Sequence, residues 1–124
     1  MLLRIAAGLL GLFNTANGLR MVLAPLAWYS ITPGVTATGP YNPHFVIDVG
    51  LAYLVGGIAF LAFAWRPRLR LVALGASGFL VMHGLFHLSH ALHGPLATAG
   101  VDVGVAIPAL LGLALCWPRR EAAA

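Results

Sequence analysis

Four apolar runs separated by short polar breaks organise the chain, and each has the length of a membrane-spanning helix. A hydrocarbon core of roughly 30 Å, crossed at about 1.5 Å per residue, needs about 20 predominantly apolar residues. The first run extends from about Leu2 to Tyr29 and closes on Trp28 and Tyr29, side chains that favour the membrane interface; Pro25 predicts a kink or an early end. Ser30 to Asn42 carries Pro33, Gly34, Gly39 and Pro40 and reads as a loop. Asn42 and Pro43 supply a cap and a first-turn proline, so a second helix is expected from His44 to about Trp65, stopped by Arg66-Pro67-Arg68. A third is expected from about Leu69 to His93, ended by Gly94-Pro95. The fourth is expected from about Val101 to Trp117, kinked at Pro108 and stopped by Pro118. Small residues at Ala52/Gly56 and Gly100/Gly104, with Gly57, Gly75 and Gly78, predict close helix approach. The expected fold class is all-α, a four-transmembrane-helix up-down bundle forming one domain over 1–124.

Composition agrees and removes alternatives. The chain is 60% hydrophobic and 8% charged, with a mean hydropathy of +0.93, whereas soluble domains carry about 25% charged residues. The net charge of +4 contains no lysine, and six of the seven arginines lie at or near the ends of apolar runs. They read as topology signals, so no nucleic-acid partner is expected. Arg4, the trio Arg66, Arg68 and Arg70, and the pair Arg119 and Arg120 fall on one side of a four-pass chain. Positive-inside bias makes that side cytoplasmic, with both termini inside, as in a protein of the bacterial inner membrane. The first run lacks a good small-x-small cleavage pattern and reads as an uncleaved helix. Cys116 is the sole cysteine, which excludes an internal disulfide and a Cys-x-x-Cys redox pair and leaves a packing role.

The polar residues of the apolar runs gather on the opposite, outer face. His44 and Asp48 stand one turn apart on the second helix, His83, His87 and His90 form one stripe on the third, and Asp102 opens the fourth. From the helical rise, Asp48 lies roughly 6 Å below the start of its helix, His87 and His83 roughly 9 and 15 Å below the end of theirs, and Arg20 roughly 12 Å down. An arginine at that depth calls for a carboxylate, and Asp48 and Asp102 are the two on this side. Asn14, Asn17 and Arg20 add a polar edge on the first helix, and Tyr41, Tyr53 and Ser89 are further candidate hydrogen-bond partners. Together they predict a polar pocket that opens outward, toward the periplasm.

Imidazoles one turn apart can aim at one ion, and a carboxylate can complete the coordination or orient a ring from behind. The expected ligand set is His44, Asp48, His83 and His87, with Arg20, Asn17, His90 and Asp102 around it. Mixed imidazole and carboxylate donors suit a transition metal, copper first, with zinc or iron as alternatives. Haem is a variant with His44 opposite His83 or His87 as axial ligands. The same residues also allow a metal-free network of hydrogen bonds and ion pairs, or a path for protons or a small solute. His90 and His93 are shallow enough to be interfacial side chains. These readings lead to different functions: a metal- or cofactor-binding protein facing the periplasm, an accessory or assembly subunit of a larger membrane complex, or a transporter working as an oligomer. No nucleophile motif, phosphate-cradling loop or hydrolase acid pair is present.

The segment Asn42-Pro43-His44-Phe45-Val46-Ile47-Asp48-Val49-Gly50, the glycine-rich second helix, the Arg-Pro turn and the His-x-x-x-His of the third helix resemble small four-helix bacterial membrane proteins of uncharacterised activity. The resemblance covers most of the chain and implies the topology. It directs attention to His44, Asp48, His83 and His87 and implies no particular chemistry.

Overall fold

The computed structural model describes residues 1–117. The described residues form six α-helices: α1 (Leu2–Leu23), α2 (Pro25–Ile31), α3 (Pro43–Trp65), α4 (Arg70–Ala76), α5 (Gly78–His93) and α6 (Leu96–Cys116), with short 3-10 turns at Val35–Ala37 and Pro67–Leu69. The expectations placed on Pro118, Arg119 and Arg120 lie outside the described residues. Three helices, α1, α3 and α6, are long and apolar enough to cross a membrane, and the bent pair formed by Pro67–Ala76 and Gly78–His93 supplies a fourth if it counts as one span. Only 22–28% of the apolar window of each long helix is buried inside the protein. Leu9, Leu12, Phe13, Val55, Ile58, Ile107 and Leu111 all point outward, which in water would be a large exposed apolar surface and in a bilayer is the lipid contact.

Helix boundaries follow local chemistry. The Asn42 side chain accepts a hydrogen bond from the Phe45 N–H at 3.2 Å, and Pro43 occupies the first turn, so α3 starts as the sequence predicts. We expect Asn42→Ala to destabilise the fold by about 1 kcal/mol, the usual value of such a cap, measured by denaturant titration in detergent. At the far end Arg66 is extended because Pro67 excludes the helical conformation from the residue before it. Two predicted helices are broken. The first ends at Leu23, with Ala24 at φ −142° and ψ 59° before Pro25, and its last turns become the separate α2. Trp28 then folds back to donate its indole N–H to the Asn17 side-chain oxygen at 2.8 Å. The third is bent by 54° at Ser77, whose hydroxyl donates to the Leu74 carbonyl at 2.8 Å. Gly75 and Gly78 flank the bend and face open space, so they weaken the helix there and are not packing contacts as expected. Gly100 and Gly104 likewise meet nothing. The last helix starts at Leu96, five residues earlier than predicted from the apolar run, and continues through Pro108.

Two antiparallel helix pairs carry the architecture. Helices α1 and α3 approach closely where Gly11 and Gly18 meet Gly57, Leu61, Gly50 and Leu54. Arg4 closes the pair at one end, its Nε donating to the Ala64 carbonyl at 2.7 Å. Helices α5 and α6 meet where Gly84 sits against Ala106 and Ala109. Between the pairs, Ala7, Leu10, Phe60, Phe63, Ala73, Leu80 and Cys116 form the buried core. Cys116 packs there as a small apolar residue, as the sequence suggested.

Candidate functional site

Gly94 and Pro95 turn the chain so tightly that α5 and α6 become antiparallel neighbours. His87 lies seven residues before Gly94 and Asp102 eight after it, so the two stand at one level. The Asp102 side chain is 5% exposed. Its Oδ1 lies 2.7 Å from His87 Nδ1 and its Oδ2 lies 3.0 Å from His90 Nδ1. An ionised carboxylate can only accept, so in that state both imidazoles donate their Nδ1–H and keep Nε2 free. The half-exposed His90 leads from the cluster to the surface, while His87 is largely covered. Each carboxylate oxygen is thus satisfied by a side chain of the neighbouring helix.

Rings extend the cluster along α5. The His83 and His87 rings meet edge to face with centres 4.7 Å apart. Tyr53 of α3 stands edge-on to His83 at 6.2 Å, and Phe79 stacks on it at 5.5 Å. Phe86 packs against His87 and His90. The predicted stripe of His83, His87 and His90 therefore exists, and its carboxylate partner is Asp102.

The expected ligand set is not assembled. His44 and Asp48 pair with each other at 3.0 Å on the surface, their side chains 84% and 60% exposed. His44 precedes Tyr53 by nine residues, about two and a half helical turns, so it points away from the side of α3 that meets His83. Among the described residues no group of three or more His, Cys, Asp or Glu side chains is arranged to hold a metal ion. Arg20 is exposed and forms no ion pair with Asp48 or Asp102 among the described residues. It stands two positions past Gly18, hence on the side of α1 turned from α3. Asn14 is buried and donates to the Leu10 carbonyl of its own helix, and Asn17 is engaged by Trp28, so the polar edge of α1 serves its own helices. The open concavity at this end lies over the loop, lined by Thr38 to Pro43 and Phe45. Tyr29 ties that loop down by donating to the Gly39 carbonyl at 2.7 Å. His93 donates to the Ser89 carbonyl of its own helix end and lies apart from the cluster.

Comparison with known proteins adds no assignment: no family model, curated protein or solved structure matches the chain. The chemistry of the site therefore rests on its own geometry. Two imidazoles on one carboxylate, set among apolar side chains, can take up a proton, pass it between ring nitrogens, or hold two helices in register.

Proposed function

We propose that the chain is a four-span, up-down protein of the bacterial inner membrane, both termini cytoplasmic, whose periplasm-facing end carries a proton-binding site at His87, Asp102 and His90. The observation that supports this reading is the buried carboxylate with an imidazole on each oxygen. Ionisable groups are costly inside a membrane, and those that occur there commonly mark ion or proton pathways. A carboxylate between two neutral imidazoles carries one negative charge, and one proton added at a ring nitrogen makes the cluster neutral. That exchange lowers the cost of keeping the groups in hydrocarbon. His83 and Tyr53 continue the line of protonatable side chains into the protein. One four-helix unit is small for a complete pathway, so proton or small-solute transport is assigned to an oligomer or to a larger membrane complex. A second reading, an accessory subunit in which the network only keeps α5 and α6 in register, is favoured by the two hydrogen bonds that join these helices through Asp102.

Proton counting tests the site. On acidification the detergent-solubilised protein should take up more protons than the Asp102→Asn variant, read by potentiometric titration and by histidine nitrogen NMR. Equal uptake removes the proposal. In reconstituted vesicles, proton flux under an imposed potential that disappears in Asp102→Asn supports transport, and uptake without flux supports the accessory role. Elemental analysis and an absorption spectrum on the same preparation provide the opposing result. Stoichiometric copper, zinc or iron, or a haem band, lost in His83→Ala/His87→Ala, would replace the proton site with a cofactor site.

A further inference from the structure

We infer that the end of the molecule opposite Asp102 binds the phosphate of an anionic phospholipid, held by Arg66 and Arg68 beside Trp65. The inference rests on the membrane-spanning reading and concerns a different site from the histidine cluster. Arg4, Arg66, Arg68 and Arg70 all lie at this end, where α1 and α4 begin and α3 stops. The two carboxylates among the described residues, Asp48 and Asp102, belong to the other end. The arginine charge is therefore uncompensated within the described residues. Two of the four are already engaged. Arg4 donates to the Ala64 and Trp65 carbonyls, and Arg70 lies over the Phe63 ring, its guanidinium carbon 6.0 Å from the ring centre. Even so, the buried Arg70 Nε has no acceptor among the described residues.

Arg66 and Arg68 remain exposed, with no side-chain hydrogen bond among the described residues, and flank the rigid Pro67. With Trp65 they line one shallow concavity. Trp65 is 78% exposed at the end of an apolar helix, the position where an indole sits at headgroup level between acyl chains and water. A guanidinium offers paired donors that match two phosphate oxygens. Two such forks beside an indole fit a phosphodiester with chains attached better than they fit a peptide carboxylate. Free phosphate shares the oxygen chemistry but has nothing to set against Trp65.

The test uses the full chain in detergent, with lipid retention counted by native mass spectrometry and thermal unfolding measured in parallel. Phosphatidylglycerol should be retained in preference to phosphatidylcholine, and each arginine near such a charge should strengthen binding about fivefold. Arg66→Gln/Arg68→Gln should therefore lose about 25-fold in retention. Arg20→Gln, which removes the same charge from the opposite end, should keep the preference. Equal retention of the two lipids by the parent protein overturns the inference without any variant, and so does a preference that survives in the double variant. Displacement of the lipid by millimolar inorganic phosphate would reassign the site to free phosphate. None of these results depends on whether the protein enters a bilayer, which is read separately by incorporation into phosphatidylcholine vesicles.

Discussion

Replacing Asp102 with alanine should lower the stability of the detergent-solubilised protein by about 2 kcal/mol, the cost of leaving a largely covered donor without its acceptor. The loss falls mainly on His87, whose side chain is 20% exposed and whose short bond to Oδ1 has no substitute. His90, at 46% exposed, can turn to water or headgroups and adds little. The loss is not a measure of what the cluster contributes to folding. Burying a carboxylate has its own desolvation cost, and removing every member of a buried polar set is often neutral where removing one is not. The triple variant Asp102→Leu/His87→Leu/His90→Leu should therefore recover most of the stability lost in Asp102→Ala. Denaturant titration of the parent, single and triple variants checks both statements. A triple variant much less stable than the single one would make the network a structural clamp and weaken the proton-site reading. An unchanged single variant would mean that the two hydrogen bonds do not form.

The helical class and the apolar spans are legible in the sequence because lipid imposes a simple rule: backbone groups must be satisfied within the segment, so long apolar runs become helices. Asn42 with Pro43 and Arg66 with Pro67 mark ends because each acts on its immediate neighbours. The breaks at Ala24 and Ser77 are harder to read. Pro25 leaves open whether a helix bends or stops, a choice taken here when Trp28 finds Asn17 eleven residues back. Gly75 and Gly78 look like packing residues as sequence, and only their empty surroundings in the fold show that they accompany the bend at the buried Ser77.

The site was half visible for a related reason. The stripe of His83, His87 and His90 is local to one helix and follows from spacing alone. Which carboxylate meets it depends on how α3 is rotated, and no apolar pattern fixes that rotation when most faces of the helix are hydrocarbon. The glycines do fix it. Gly50 and Gly57 turn one side of α3 toward α1, Gly56 and Tyr53 face α5, and His44 and Asp48 are left outside. Asp102 had a simpler signal in the two-residue turn at Gly94 and Pro95, which makes residues equidistant from it neighbours.

That role for the glycines gives the second large expected effect. Gly57→Ala should destabilise the fold by about 1–3 kcal/mol, the range for forcing extra volume into a packed contact, and Gly57→Leu should abolish a folded monomer in mild detergent. A Cβ at Gly57 would lie 2.6 Å from the Thr15 backbone nitrogen and 3.0 Å from the Gly11 carbonyl oxygen. The obstacle is backbone, so no rotamer change relieves it, and α1 must move away from α3. Because the same packing sets the rotation of α3, the shift should also pull Tyr53 from His83 and change the His83 ring signals by NMR, although Gly57 touches no histidine. Gly104→Ala supplies the contrast. A Cβ there meets nothing within 4 Å, and the higher helix propensity of alanine should leave stability unchanged or slightly raised. Equal tolerance of alanine at Gly57 and Gly104 would show that α1 and α3 do not meet backbone to backbone.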